Sequence, residues 1–252
     1  MLIFRVYANN PLRNYNYIIA CEKSKDAVII DPLAVEQCLD IANKNKLKIT
    51  KIFNTHEHWD HIEGNDEIKK VTGAKICAHA NCVGKISNID YVLKEGDEIN
   101  IGESIKVKCL DTPGHTFGHI CFLVNYNNKT ALFSGDTLFN AGAGNCYSGD
   151  VNSLYSSFTE KLNVLPDDTL VYPGHDYLEN NLNFTLSIEP DNIKAQKLLN
   201  EIKNHSPEDR IVTTIGIEKE INTFFRLKYN MPNLGTTEKE VFIKLRELRN
   251  NW

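Results

Sequence analysis

With 252 residues, 42% hydrophobic and 24% charged, the chain can bury a sizeable core and has the balance of a globular protein. A formal net charge of −5 leaves no cationic surplus for a nucleic-acid backbone or an anionic membrane, and no apolar run approaches the roughly 20 residues of a membrane span. The seven cysteines are odd in number and form no CxxC, and the first residues lack a signal-peptide pattern. Both features lead us to expect buried thiols and a cytoplasmic protein.

The first 140 residues read as strands divided by turns. "LIFRVYAN", "YNYIIACE" and "DAVIIDP" are β-rich runs separated by Asn, Pro, Lys and Asp clusters. "VEQCLDIANKNKL" reads as a helix, and "KITKIFNTH" as a buried strand that ends in histidine. "AKICAHA", "ESIKVKCLDTPGH", "GHICFLVNY" and "KTALFSGDT" continue the strand series, which suggests helices packed on sheets, an α/β arrangement. "VNSLYSSFTEKL" places Val151, Leu154, Tyr155, Phe158 and Leu162 on one helical face, and "TLVYPGH" is a last strand ending in His175. From 176 onward helix dominates. Ala195, Leu198, Leu199 and Ile202 lie at helical spacing, and Thr237 with Glu240 forms a capping box before Val241, Leu245 and Leu248. The expected organisation is a β-rich catalytic part, 1–175, and a helical part, 176–252.

"FNTHEHWDHIEGN", residues 53–65, is too polar to bury without a partner. In an extended segment alternate residues face one way, so His56, His58 and Asp60 are expected to converge, with His61 on the neighbouring face. One loop can thus feed two adjacent metals. Further donors are needed, since zinc takes four or more. The candidates are His115, Asp136 and His175, each at a strand end beside Gly, where a rigid sheet fixes a functional loop.

"THEHWDH", "TPGHTFGH", "FSGDTLF" and "YPGHDY" resemble, in order, the motifs of the metallo-β-lactamase superfamily. The resemblance implies an αββα sandwich with a small helical C-terminal domain and two divalent metals, zinc first, iron or manganese as alternatives. It implies that His56, His58 and His115 bind one metal, that Asp60, His61 and His175 bind the other, and that Asp136 bridges them. "GDTLFNAGAGNCYSGD", "YPGHDYLENNLNFTLSIEP" and "NTFFR" narrow the resemblance to the hydroxyacylglutathione hydrolases, or glyoxalase II. That family hydrolyses S-D-lactoylglutathione to D-lactate and glutathione. The expected activity is therefore attack of a metal-bound hydroxide on a glutathione thioester, with Asp60 and Asp136 at the reacting centre.

A thiol with pKa near about 8.5 leaves without a separate general acid. Glutathione carries two carboxylates, so cationic donors are expected. By the family pattern Arg226, with Lys228 close behind, supplies them, and Tyr147 and Tyr177 lie beside the peptide. Asn145 departs from the pattern: many relatives have Lys there, and its loss removes one carboxylate contact. Glu57 and Glu63 read as solvated loop carboxylates, His79 as a non-ligand, His119 as a packed or supporting histidine, and His205 as a surface residue. The alternatives are a persulfide-dioxygenase-type oxygenase or another metal-dependent hydrolase on the same scaffold. Nothing in the pattern calls for a partner chain, so a monomer is the default.

Overall fold

The computed structural model describes residues 1–252. Two six-stranded sheets stack face to face. The first holds β1 (Leu2–Tyr7), β2 (Tyr15–Ala20), β3 (Asp26–Ile30), β4 (Lys48–Phe53), β5 (Lys75–His79) and β6 (Tyr91–Leu93) in chain order, antiparallel to β3 and parallel beyond it. The second holds β7 (Glu98–Ile101), β8 (Ile105–Asp111), β9 (Ile120–Tyr126) and β10 (Lys129–Gly135) as an antiparallel meander. A hairpin of β11 (Leu138–Phe139) and β12 (Gly142–Ala143) follows. β13 (Leu170–Pro173) then adds parallel to β10, and β14 (Thr213–Thr214) closes that edge.

Strand alternation explains the layers. Tyr15, Tyr17 and Ile19 of β2 face inward with Ile120, Phe122 and Val124 of β9, in one buried cluster between the sheets. Phe53 and Phe122 stack across it at 4.8 Å. Ile18 and Ala20, one residue out of phase, face the opposite side, where they share a cluster with Val35 and Cys38 of α1 (Val35–Lys44). The short α2 (Trp59–Ile62) and then α3 (Asn65–Thr72) follow, and Ile68 of α3 joins that cluster. Each such aromatic or branched side chain, fully buried, contributes about 1.5–3 kcal/mol.

The outer face of the second sheet is covered by Leu154 of α4 (Val151–Ser156) and by Phe158 and Leu162. The single helix expected over 151–162 is α-helical only to Ser156 and continues as π-helical turns from Ser157 to Leu162. Beyond lie α5 (Leu178–Ile188), α6 (Ile193–Ile202), α7 (Ile215–Ile221), α8 (Leu227–Leu234) and α9 (Glu238–Asn250). α9 begins with the expected Thr237–Glu240 capping box and buries Val241, Phe242 and Leu245. All seven cysteines are unbridged, and six are buried. No helix is long and apolar enough to cross a membrane.

Candidate metal centre

The ends of β4, β8, β10 and β13 deliver the polar cluster. After Phe53, the Asn54 amide donates to the His61 carbonyl at 3.0 Å and pairs with Asn65, which draws residues 54–65 into a tight loop. His58 is extended, but the chain turns helical at Trp59. The expected extended alternation of His56, His58 and Asp60 is thereby corrected: α2 carries Asp60 and His61 together to a second group. Donor atoms of His56, His58 and His115 lie within 4.8 Å of one another, as do those of Asp60, His61 and His175, and those of His56, His61 and Asp136. All but His58 are buried.

Asp136 touches both groups. Its Oδ2 is 3.6 Å from His115 Nε2 and 3.2 Å from His175 Nε2, and its Oδ1 is 3.4 Å from His61 Nε2. Gly174 makes room for it, since a Cβ there would meet Asp136 Oδ1 at 2.3 Å. Gly135 turns the chain into Asp136 at φ +47°, a left-handed conformation that glycine takes without strain.

The outer ring nitrogens fix the tautomers. His115 Nδ1 donates to the Asn145 carbonyl at 2.8 Å, and His175 Nδ1 to the Leu12 carbonyl at 2.7 Å. His61 Nδ1 meets the Asp31 carboxylate at 2.9 Å, and Asp31 is itself held by the backbone and hydroxyl of Thr55. Carbonyls and carboxylates only accept, so in each of these rings Nδ1 is the donor and Nε2 is the nitrogen left to face the cluster. His61 Nε2 and His175 Nε2 nevertheless stand 3.2 Å apart, with buried Asp136 Oδ1 making no hydrogen bond. Ring nitrogens crowded on a buried, unpartnered carboxylate oxygen call for a cation between them, and a set of imidazole and carboxylate donors fits divalent metals. His58 is turned the other way: its Nδ1 lies 3.0 Å from His56 Nε2 and from His115 Nε2, while its Nε2 contacts Ser148 Oγ.

The electrostatics tell the same story. Burial works against the Asp136 charge, but His175 and His61 outweigh it and hold the carboxyl well below its usual range. Burial likewise opposes protonation of His61, yet Asp136 and Asp31 keep its pKa well above the ordinary value. Burial, with His61 as the next cause, pushes His56 well down. Positive charge is favoured at the middle of the cluster and disfavoured at its wall.

Supporting residues surround the donors. His119, fully buried, accepts from the Asp136 backbone N–H through Nε2 at 3.0 Å, and its Nδ1 lies 2.9 Å from the hydroxyls of Thr112 and Thr137. His79 contacts Asp111 at 3.3 Å, and His205 bonds the Asp209 carbonyl at the surface. Glu63 is exposed. Glu57 is not the solvated loop carboxylate expected from sequence: it accepts from Lys85 at 2.5 Å and Thr116 at 2.9 Å, and so ties the ligand loop to the segment after His115.

The substrate-side residues divide. Tyr177 stacks on His175 at 4.9 Å and 4°, and Tyr147 projects into solvent, 76% exposed. Asn145 holds His115 through its carbonyl and accepts from Tyr147 N at 3.3 Å. Arg226 is engaged elsewhere. Its Nε donates to fully buried Glu189 at 2.6 Å, and its guanidinium covers Tyr229. Lys228 is 84% exposed beside Glu238. Two cations that sequence reasoning missed, Arg246 and Arg249 of α9, face this side. Arg246 donates to the carbonyls of Ala143 and Gly144, and Arg249 to Asn181 Oδ1. Burial lowers both pKa values, Arg246 to about 10, with Tyr147 in range of both and Tyr177 of Arg249. Neither guanidinium has a carboxylate partner. The signal was in "KLRELRNN", where Glu247 pairs with Lys244 and leaves both arginines unmatched.

A two-sheet sandwich with a histidine–aspartate cluster at its strand ends is the frame of a metal-dependent hydrolase. The comparisons with known proteins name it. Residues 10–175 match the metallo-beta-lactamase superfamily, and residues 176–252 match the hydroxyacylglutathione hydrolase C-terminus. The hydroxyacylglutathione hydrolases of Polaromonas sp. (strain JS666) and Nitrosococcus oceani are each 50% identical over 264 aligned residues, covering all of both chains. The crystal structure of ETHE1 from Myxococcus xanthus superposes with a TM-score of 0.73 at 28% identity, covering 98% of this chain and 91% of that one. The chain belongs to the metallo-β-lactamase superfamily and, within it, to the hydroxyacylglutathione hydrolase family.

Proposed function

We infer that this chain is a thioester hydrolase that converts S-D-lactoylglutathione, and related hydroxyacylglutathiones, to D-lactate and glutathione, the second step of methylglyoxal detoxification. The observation that carries the reading is the convergence of the Nε2 atoms of His61, His115 and His175 on Asp136, beside two arginines without carboxylate partners. His56, His58 and His115 would hold one divalent metal, and Asp60, His61 and His175 the other, with Asp136 between them. Histidine and carboxylate donors suit zinc first, and iron or manganese next.

Bound there, the metals supply an activated water and polarise the thioester carbonyl. The chain's own residues do the rest. Asp60 and Asp136 set the orientation of the reacting centre. Tyr177, flat against His175, gives the substrate a wall, and Tyr147 borders the mouth. Arg249 and Arg246 offer the positive charge that glutathione's carboxylates require. The leaving thiol has a pKa near about 8.5 and departs as thiolate without an acid. Residues 1–175 then form the catalytic domain and 176–252 the substrate-binding one, in a monomer, with the seven free thiols favouring the cytoplasm.

The test is loss of thioester absorbance from S-D-lactoylglutathione, with protein stripped by chelator and reloaded with zinc, iron or manganese. Metal-dependent turnover, abolished together with metal retention in Asp136→Ala, is the expected result. Fully loaded protein without turnover, but consuming oxygen with glutathione persulfide, would replace this reading with the oxygenase one.

A further inference from the structure

The loop between β1 and β2, "NNPLRN" (9–14), contributes no donor to the cluster, yet it touches one metal group twice. The Leu12 carbonyl accepts from His175 Nδ1 at 2.7 Å. The Asn14 amide, 1% exposed, donates to Asp60 Oδ2 at 2.9 Å and reaches the Asp60 carbonyl at 3.3 Å. Oδ2 is also the Asp60 oxygen turned towards His61 and His175, at 3.5 and 3.6 Å.

The amide can point only one way. Asn10 Oδ1 accepts from Asn14 N at 3.0 Å, so the Asn10 NH2 lies on the other side and donates to Asn14 Oδ1 at 2.8 Å. The Asn14 NH2 is left for the carboxylate. The backbone locks the arrangement: Tyr15 N donates to Gly174 O at 2.8 Å, and Asp176 N to Arg13 O at 2.9 Å, on either side of His175. Arg13 adopts φ +60° to make this turn and anchors on Asp176. His56, His58 and His115 receive nothing from the loop; their partners are Thr55, Ser148 and Asn145.

We propose that Asn14 is a positioning residue for the metal group of Asp60, His61 and His175 alone, and that the 9–14 loop sets the affinity of that one site. The inference rests on the two-metal reading above. A hydrogen bond to a ligand oxygen selects which lone pair faces the ion, and losing such a partner weakens binding about 10- to 100-fold.

The experiment titrates apoprotein with zinc against a chromophoric chelator, for the wild type, Asn14→Ala, Asn14→Ser and Asn10→Ala. Asn14→Ala should keep one of the two zinc-binding steps at its wild-type affinity and weaken the other about 10- to 100-fold. Asn10→Ala, which frees the amide to rotate and takes the acceptor from the Asn14 N–H but keeps the donor to Asp60, should weaken the same step by less. Asn14→Ser keeps a short donor and guards against a variant that fails to fold; it should fall between. The kcat at limiting zinc should drop and recover with excess zinc, while KM holds. Two wild-type binding steps in Asn14→Ala, or equal weakening of both, would overturn the inference. A wild type that binds fewer than two metals would overturn the site reading, and this inference with it.

Discussion

His115 and His119 stand four residues apart in one motif, and the fold gives them opposite tasks. His115 leaves the end of β8 and turns its Nε2 inward, whereas His119 precedes β9 and turns its Nε2 to the Asp136 backbone. Burial, and then His115, hold the His119 pKa well below its ordinary value, so the ring stays neutral and can accept. His119→Phe fills the space but leaves the Asp136 N–H without an acceptor, while the Thr112 and Thr137 hydroxyls keep each other, the Thr112 carbonyl and Cys121 as partners. A buried group so stranded costs about 1–3 kcal/mol. His119→Phe should melt several degrees lower and lose metal on dialysis. His119→Gln, whose carbonyl can accept the same N–H, should keep more of both. A phenylalanine variant with wild-type metal content would remove His119 from the support of Asp136.

At the level of elements, legibility followed length and periodicity. β1 to β5 were readable because each is five or six residues long and carries three to five apolar residues, many of them branched or aromatic. β6, β7, β11, β12 and β14 have two to four residues each, too few for a period, and exist because a neighbouring strand pairs with them. The same applies to α2, four residues whose helical turn reassigns Asp60. β6 shows what holds such a strand. Asp90, just before it, accepts from Ile76 N at 2.9 Å, Lys69 at 2.7 Å and Lys75 at 3.3 Å. Burial opposes its charge, but Lys69 and the Ile76 amide outweigh it and bring the pKa from 3.8 to about 2. A lowered carboxylate pKa gives stability that is present above the unfolded value and lost as pH falls through the folded one. Asp90→Asn should therefore cost up to about 1 kcal/mol near neutral pH, small because solvent screens the pair. The gap should narrow between pH 4 and pH 2. Urea melts of both proteins at pH 7 and pH 3 measure it; an equal gap at both values would mean the charge is not what matters.

For the molecule as a whole, the question is how the helical tail serves a site built by the sheets. The segment from β11 to Asn145 runs between them. Glu218 accepts from Ala141 N, Asn181 and Asn222 donate to the carbonyls of Asn140 and Gly142, and Arg246 grips Ala143 and Gly144. The next residue, Asn145, holds His115. The tail thus steadies His115 and presents positive charge from the same helix. The motif "NTFFR" pointed to Arg226 because a sequence shows a cation but not its partner. Folding hands Arg226 to Glu189 and leaves Arg249 unmatched. The two arginines should therefore fail differently. Arg226→Ala strands a buried carboxylate and should cost about 3–5 kcal/mol of stability. Its KM for lactoylglutathione should change little once the protein is folded. Arg249→Ala should leave the melting temperature within a few degrees. It should raise KM for lactoylglutathione about 10-fold or more, the scale of one charge-assisted hydrogen bond. A thioester without glutathione's carboxylates should not register the change. Asn145→Lys, which restores a cation on the facing loop, should lower KM in the wild type. In Arg249→Ala it should recover part of what was lost. Steady-state kinetics on the two substrates separates the roles: a KM rise for both with Arg249→Ala would assign that residue to the reacting centre instead of the peptide.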